Sequence, residues 1–396
     1  MNHKNLKELA IQLHRQYKGK IEVVSKVEIN SEADLSLVYT PGVGDVCKEI
    51  EKNPEEINHL TSRGNMVAVV TDGTAVLGLG DIGPGAAMPV MEGKCMLFKT
   101  FADIDAFPIC LDTKNVDEIV AVVKALQPTF AGINLEDISA PRCFEIEERL
   151  KRDLNIPVFH DDQHGTAIVV LAGLLNGVKV VGKQMEKVEI VINGAGAAGI
   201  SIAKLLLRAG FVNITLVSLE GVVHKSEDWL NPNQQNIAKV TNKKNIKGTL
   251  QDVIIDADVF IGVSGPAALK PELVKKMAKD PIVFAMANPI PEIYPEEALA
   301  AGAKVVGTGR SDYPNQINNL LAFPGIFRGA MDSGATDITV EMKIAAAYAI
   351  ANMIPEKELS SSFVIPNALN KEVPKVVARA VADSVLKQGQ VSIKTS

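Results

Sequence analysis

Two acidic pairs, Glu136-Asp137 and Asp161-Asp162, stand just after short apolar runs at residues 130–135 and 156–159. A helical pattern over residues 140–154 separates them. A strand, a crossover helix and a second strand of this length make a parallel unit, and its right-handed connection brings both strand ends to one edge of a sheet. Carboxylates crowded at that edge repel one another unless a cation sits among them. An all-oxygen ligand set selects a hard divalent ion, Mg²⁺ or Mn²⁺, over zinc. Asp137, just before Ser139-Ala140-Pro141, also suits a helix N-cap, where a carboxylate meets free N–H groups and the positive end of the helix dipole. On the residues alone both readings stand.

A second pattern is Gly194-Ala195-Gly196-Ala197-Ala198-Gly199, which follows an apolar strand pattern at residues 187–193 and opens a helical one at 200–208. In that context Gly194 permits a tight turn, Gly196 lets the backbone approach a pyrophosphate, and Gly199 allows close helix packing. The phosphates then meet the free N–H groups of the helix start. At the end of the next strand stands Ser218-Leu219-Glu220. An acid there holds the adenosine ribose and favours NAD, whereas Ser218 leaves room for the 2′-phosphate of NADP.

These residues need elements to position them. The 396 residues suffice for two or three domains. A net charge of −6 and a pI near 5.7 leave no basic stripe for nucleic acid. The first residues are polar with no apolar signal segment, and the apolar stretch at 167–181 is broken by Asn176, Gly177 and Lys179, so no membrane span is expected. The cysteines Cys47, Cys95, Cys110 and Cys143 form no CxxC pair and fit reduced thiols; a cytoplasmic protein is expected.

Along the chain, Leu6, Leu9, Ala10, Leu13 and Tyr17 predict an amphipathic helix, and Tyr39-Thr40-Pro41-Gly42-Val43 predicts a type II turn. Strands are expected at 66–71, 95–101 and 107–111, with a helix at 116–126. Residues 1–164 thus read as an N-terminal α/β catalytic domain. After a long helix at 166–181, strands at 188–193, 214–218, 259–264, 282–286 and 304–306 alternate with helices. That alternation predicts a doubly wound, Rossmann-type NAD(P)-binding domain over residues 165–396, closing in helices at 339–353 and 373–387.

Taken together, the motifs resemble the malic enzymes in their short bacterial form. The likeness rests on Tyr39-Thr40-Pro41-Gly42-Val43, Val70-Thr71-Asp72-Gly73, Leu77-Gly78-Leu79-Gly80-Asp81-Ile82-Gly83 and Gly93-Lys94. It continues through Asn134-Leu135-Glu136-Asp137, the stretch from Phe159 to Thr166, the glycine loop, Ala287-Asn288-Pro289, and Asn318-Asn319 before Phe323-Pro324-Gly325. The resemblance implies oxidative decarboxylation of L-malate to pyruvate and CO₂ with NAD(P)⁺ and Mg²⁺ or Mn²⁺, by a homodimer. It implies Glu136, Asp137 and Asp162 as metal ligands, with Asp161 orienting its neighbours. Lys94 corresponds to the general base and a substrate contact, Tyr39 to the general acid, and Asn288, Asn318 and Asn319 to further substrate contacts. His160 and His164 read as structural neighbours of the acids.

The chemistry is coherent: a dication polarises the C2 hydroxyl, and partial burial beside it brings Lys94 down from the free value near ~10.4 so that it can take the proton. One departure is visible. Larger malic enzymes place an arginine just after the Val-Thr-Asp-Gly motif to grip a malate carboxylate, and this chain has Thr74-Ala75. Malolactic conversion of malate to lactate, and a non-catalytic dinucleotide sensor, are the alternative readings.

Overall fold

The computed structural model describes residues 3–76, 78–387 and 389; Leu77 of the glycine-rich stretch lies outside the described residues. The first sheet contains β1 (Met66–Thr71), β2 (Asp105–Cys110), β3 (Gly132–Leu135) and β4 (Val158–His160) in the order β2-β1-β3-β4. Its pairs are parallel. The runs Val67-Ala68-Val69-Val70 and Ile133-Asn134-Leu135 are wholly buried, as expected of strands covered on both faces. Leu135 registers against His160, so Glu136 and Asp161 leave the sheet side by side.

Two expectations fail here. Residues 95–101 are not a strand; they are the second half of the helix Pro84–Ala102. Ala87, Met91, Lys94, Cys95 and Phe98 are its buried residues, a stripe of helical spacing. The short apolar run taken by itself does not carry that period, which emerges only with the preceding two turns. The turn at 39–43 is not type II either, because Gly42 sits at φ −53° in the right-handed region and opens the helix Val43–Lys52. A type II turn needs positive φ at that position.

The second sheet contains β5 (Glu189–Asn193), β6 (Asn213–Val217), β7 (Val259–Gly262), β8 (Ile282–Ala285) and β9 (Val305–Thr308), all parallel, in the order β6-β5-β7-β8-β9. Chain order reverses between β5 and β7. A crevice therefore opens beyond their C-terminal ends, where ligands bind in such sheets. One continuous core joins the two sheets. The helix Phe323–Asp332 returns to the first sheet, with Phe323 and Phe327 edge-on to Phe98 at 4.7 and 5.3 Å. Helices Val340–Ala351 and Glu372–Lys387 close the chain.

The N-terminal arm behaves differently. From residue 6 to residue 60 nothing is buried, although the arm carries Leu6, Leu9, Leu13, Leu35, Leu37 and Tyr39. Among the described residues no helix is long and apolar enough to cross a membrane.

Candidate active site at the edge of the first sheet

Glu136 and Asp137 follow β3, and Asp161 and Asp162 begin a wide turn, Asp161–Gly165, after β4. Asp137 takes a left-handed backbone (φ 54°) and its N–H donates to Asp162 Oδ2 at 2.8 Å. Carboxylate oxygens of Glu136, Asp137 and Asp162 all lie within 4.8 Å of one another. Asp161 faces the same cluster, and a Cβ on Gly165 would stand 1.9 Å from its Oδ1. Lys94 reaches in from the helix Pro84–Ala102, with Nζ 2.5 Å from Asp161 Oδ2, 3.1 Å from Glu136 Oε1 and 4.4 Å from the Phe323 ring centre. Asn319 Nδ2 donates to Asp161 Oδ2 at 2.5 Å, and Asn134 Nδ2 to Glu136 Oε2 at 2.8 Å.

Burial drives these acids upward, and their mutual repulsion adds to it. Asp137 is pushed up to about 9 by burial and the charges of Asp162 and Glu136. Burial and Asp161 raise Asp162 to about 6. Burial raises Asp161 to about 7 against the pull of Lys94, and raises Glu136 as well. For Lys94 burial works downward, but Asp161 and Glu136 outweigh it and hold the ammonium above its ordinary value. Among the described residues, Asp137 Oδ2 and Asp161 Oδ1 are buried without a hydrogen-bond partner. An oxygen set that repels itself and keeps buried acceptors unpaired fits a hard dication, with Glu136, Asp137 and Asp162 able to hold it.

The glycine loop crosses the crevice of the second sheet. Gly194 has φ +121°, and a Cβ there would lie 2.5 Å from Val263 O; one on Gly199 would lie 1.8 Å from Gly194 O. Beside Gly196 the space is open, which suits a close approach by a pyrophosphate. Ala195, Ala197 and Ala198 complete the loop and the first turn of the helix Ala197–Ala209. After β6, Ser218 Oγ donates to Glu220 Oε2 at 2.6 Å. Glu292, which the sequence reading missed, is fully buried and accepts from the N–H groups of Ser264 and Ala287 at 3.0 Å each. It ties the loop after β7 to the loop carrying Asn288. An isolated glutamate between two prolines offers no sequence signal for that role.

Asn288 sits where the two halves meet. A Cβ on Gly78 would be 2.8 Å from its carbonyl, and one on Gly309 would be 2.6 Å from its Nδ2. Asn318 uses Oδ1 to accept from Leu320 N–H at 2.9 Å. Tyr39 stays apart: it is 67% exposed, and among the described residues its hydroxyl has no partner. A guanidinium does reach Thr74, from Arg142, but it is committed to Asp72 at 2.7 Å, Thr74 Oγ1 at 2.9 Å, Ser139 and Lys114 O. His164 Nε2 lies 2.6 Å from Glu147 Oε1, and His160 is buried.

Comparison with known proteins gives a consistent picture. Residues 18–151 match the model of the malic enzyme N-terminal domain and residues 163–388 that of the malic enzyme NAD-binding domain. The chain is 58% identical to a bifunctional malic/malolactic enzyme of Bacillus subtilis, over 98% of this chain and 95% of that one. It is 60% identical to an NAD-dependent malic enzyme of Geobacillus stearothermophilus, over 94% and 77%. The crystal structure of an NAD-dependent malic enzyme from Thermotoga maritima superimposes with a TM-score of 0.91 at 51% identity, over 94% of this chain and 98% of that one.

Proposed function

This chain belongs to the malic enzyme family, and from that premise we propose how its residues divide the work. It is an NAD(P)-dependent enzyme that oxidatively decarboxylates L-malate to pyruvate and CO₂. We assign substrate and metal to residues 1–164 and the dinucleotide to residues 165–396. The observation that carries the assignment is the contact of Lys94 with Asp161 and Glu136, beside the oxygens of Asp137 and Asp162.

Glu136, Asp137 and Asp162 would hold Mg²⁺ or Mn²⁺, which would supply Lewis-acid polarisation of the C2 oxygen. Lys94, aimed by Asp161, takes the proton of the C2 hydroxyl. Both Asp161 and Glu136 hold its proton in place, and the pull of Glu136 would be relieved once that carboxylate held the dication. Residues 194–199 would cradle the pyrophosphate of the dinucleotide, whose nicotinamide would supply the hydride acceptor. Asn288 and Asn319, with Asn318 beside them, contact the malate carboxylates in place of the absent arginine.

Tyr39 returns a proton at C3 after CO₂ leaves. Its exposure on an arm covered with apolar side chains supports a homodimer in which Tyr39 serves the site of the second copy. Glu220 favours NAD over NADP, because its carboxylate suits ribose hydroxyls and repels a 2′-phosphate. The free cysteines suit the cytoplasm.

The test is incubation with malate, Mn²⁺ and NAD⁺, with NADH, pyruvate and lactate all measured. NADH and pyruvate rising together, and both lost in Lys94→Ala, support the reading; activity unchanged in Lys94→Ala removes Lys94 as the base. The name of the Bacillus subtilis relative favours a second, malolactic branch, which lactate formed without net NADH would reveal.

A further inference from the structure

We propose that the cavity enclosed by helices Arg142–Asp153, Ala197–Ala209 and Val340–Ala351 is an accessory site for a small organic dianion, with Lys343 as its deep anchor. The cavity measures about 350 Å³. It is lined by none of the glycine-loop residues, nor by Lys94, Glu136, Asp137 or Asp162.

Among the described residues its floor offers two donors that have no hydrogen-bond partner, Lys343 Nζ and Gln163 Nε2, beside the carboxylate of Glu147. Lys343 is 5% exposed, and among the described residues its ammonium makes no hydrogen bond or ion pair. Gln163, equally deep, accepts from Ser201 Oγ through Oε1 at 3.3 Å, while among the described residues its buried Nε2 has no partner. The carboxylates near Lys343 each pair one oxygen elsewhere, Glu147 Oε1 with His164 at 2.6 Å and Asp337 Oδ1 with Lys151 at 2.9 Å. Burial, aided by Lys151 and Lys204, pulls Lys343 down to about 8 against the opposing charges of Glu147 and Asp337.

An ammonium without a hydrogen bond on a buried residue is costly, and an acceptor carrying negative charge in the cavity relieves that cost. Lys204 and Arg208 add positive charge at the mouth, where Glu148 is the opposing acid and Glu341 pairs with Arg208 at 3.1 Å. A second anionic group of a ligand would meet those two cations. Phe144, Leu205 and Val340 supply apolar wall between floor and mouth, which suits a short carbon body. The occupant would touch Gln163, next to Asp162, and Ser201, in the helix that follows the glycine loop. It would thus bridge the metal-side turn and the dinucleotide helix.

Calorimetric titration of the full chain tests this, with EDTA present and NAD⁺ saturating so that the catalytic centre is metal-free and the pyrophosphate loop is filled. One arm uses inorganic phosphate and the other succinate. We expect saturable binding of one anion per chain in at least one arm, weakened about tenfold or more in Lys343→Met, the scale of one charge-assisted hydrogen bond. Binding of phosphate alone identifies a phosphomonoester as the class, and of succinate alone a dicarboxylate. Should Lys343→Met fail to fold, the double variant Lys204→Gln/Arg208→Gln decides by the same loss at the mouth. No binding up to about 10 mM in either arm, or affinity unchanged in the variants, overturns the proposal. Because binding is read without metal or turnover, its failure leaves the catalytic reading untouched.

Discussion

Lys94 Nζ stands 2.5 Å from Asp161 Oδ2, joining the helix Pro84–Ala102 to the turn that follows β4. Asn319 donates to the same oxygen from a turn more than a hundred residues further on. Asp161 lies outside the cluster of Glu136, Asp137 and Asp162, and on the proposed division of roles it aims the amine. Lys94→Ala should lower kcat by about 10²–10⁴-fold, the range for a lost general base. Asp161→Asn should also lower kcat while leaving KM for NAD⁺ within about twofold, since it acts through Lys94 and not on the dinucleotide. Steady-state kinetics with both variants check this.

The metal set should be separable from dinucleotide binding. Asp162→Asn and Glu136→Gln are expected to abolish Mn²⁺-dependent turnover, while NAD⁺ binding in a fluorescence titration persists. Mn²⁺ binding followed by electron paramagnetic resonance should weaken by about tenfold or more. Parallel loss of NAD⁺ and Mn²⁺ binding would contradict the division of labour between the two sheets.

At the glycine loop the close approach of Gly199 to Gly194 leaves no room for a methyl group. Gly199→Ala should destabilise the fold by about 1–3 kcal/mol through overpacking and raise KM for NAD⁺. Thermal melts and initial rates provide the check; a variant with wild-type KM for NAD⁺ would show that the loop does not hold the pyrophosphate.

Lys343 predicts a pH dependence of stability. Its folded pKa of about 8 lies below the unfolded value of 10.5, so below pH 8 folding works against the charged form. The penalty shrinks as pH rises from 8 toward 10.5 and disappears above both values. Lys343→Met should therefore be more stable than the parent chain at neutral pH, by up to about 3 kcal/mol. Urea melts should show that advantage fading toward pH 10.5. A constant difference across the range would mean that packing, not charge, sets it.

The exposed arm predicts complementation between subunits. Tyr39→Phe and Lys94→Ala should each be inactive alone. If Tyr39 acts in the neighbouring copy, a mixture allowed to exchange subunits regains activity, because a mixed dimer holds one intact site. Leu37→Asp, at a position 74% exposed, should yield monomers in sedimentation velocity and lose turnover. A fully active monomer would remove the dimer from the reading.

Much of this protein is written locally. The acidic pairs stand at the ends of consecutive parallel strands, and the right-handed crossover places them together without further information. The glycine loop is likewise contained in one strand-turn-helix unit, where backbone sterics alone dictate Gly194 and Gly199. The course of residues 95–101 was not local, because a short apolar run serves a strand or a buried helix face equally well. Only packing against Phe323 and Phe327 turns Phe98 inward and carries Lys94 to the carboxylates. Burial of Lys343 beside Gln163, the bridging role of Glu292 and the isolation of Tyr39 also depend on tertiary structure. Hydrophobic association is non-directional, so it specifies which side chains leave water but not which distant neighbours they meet; that is decided by the whole fold closing at once.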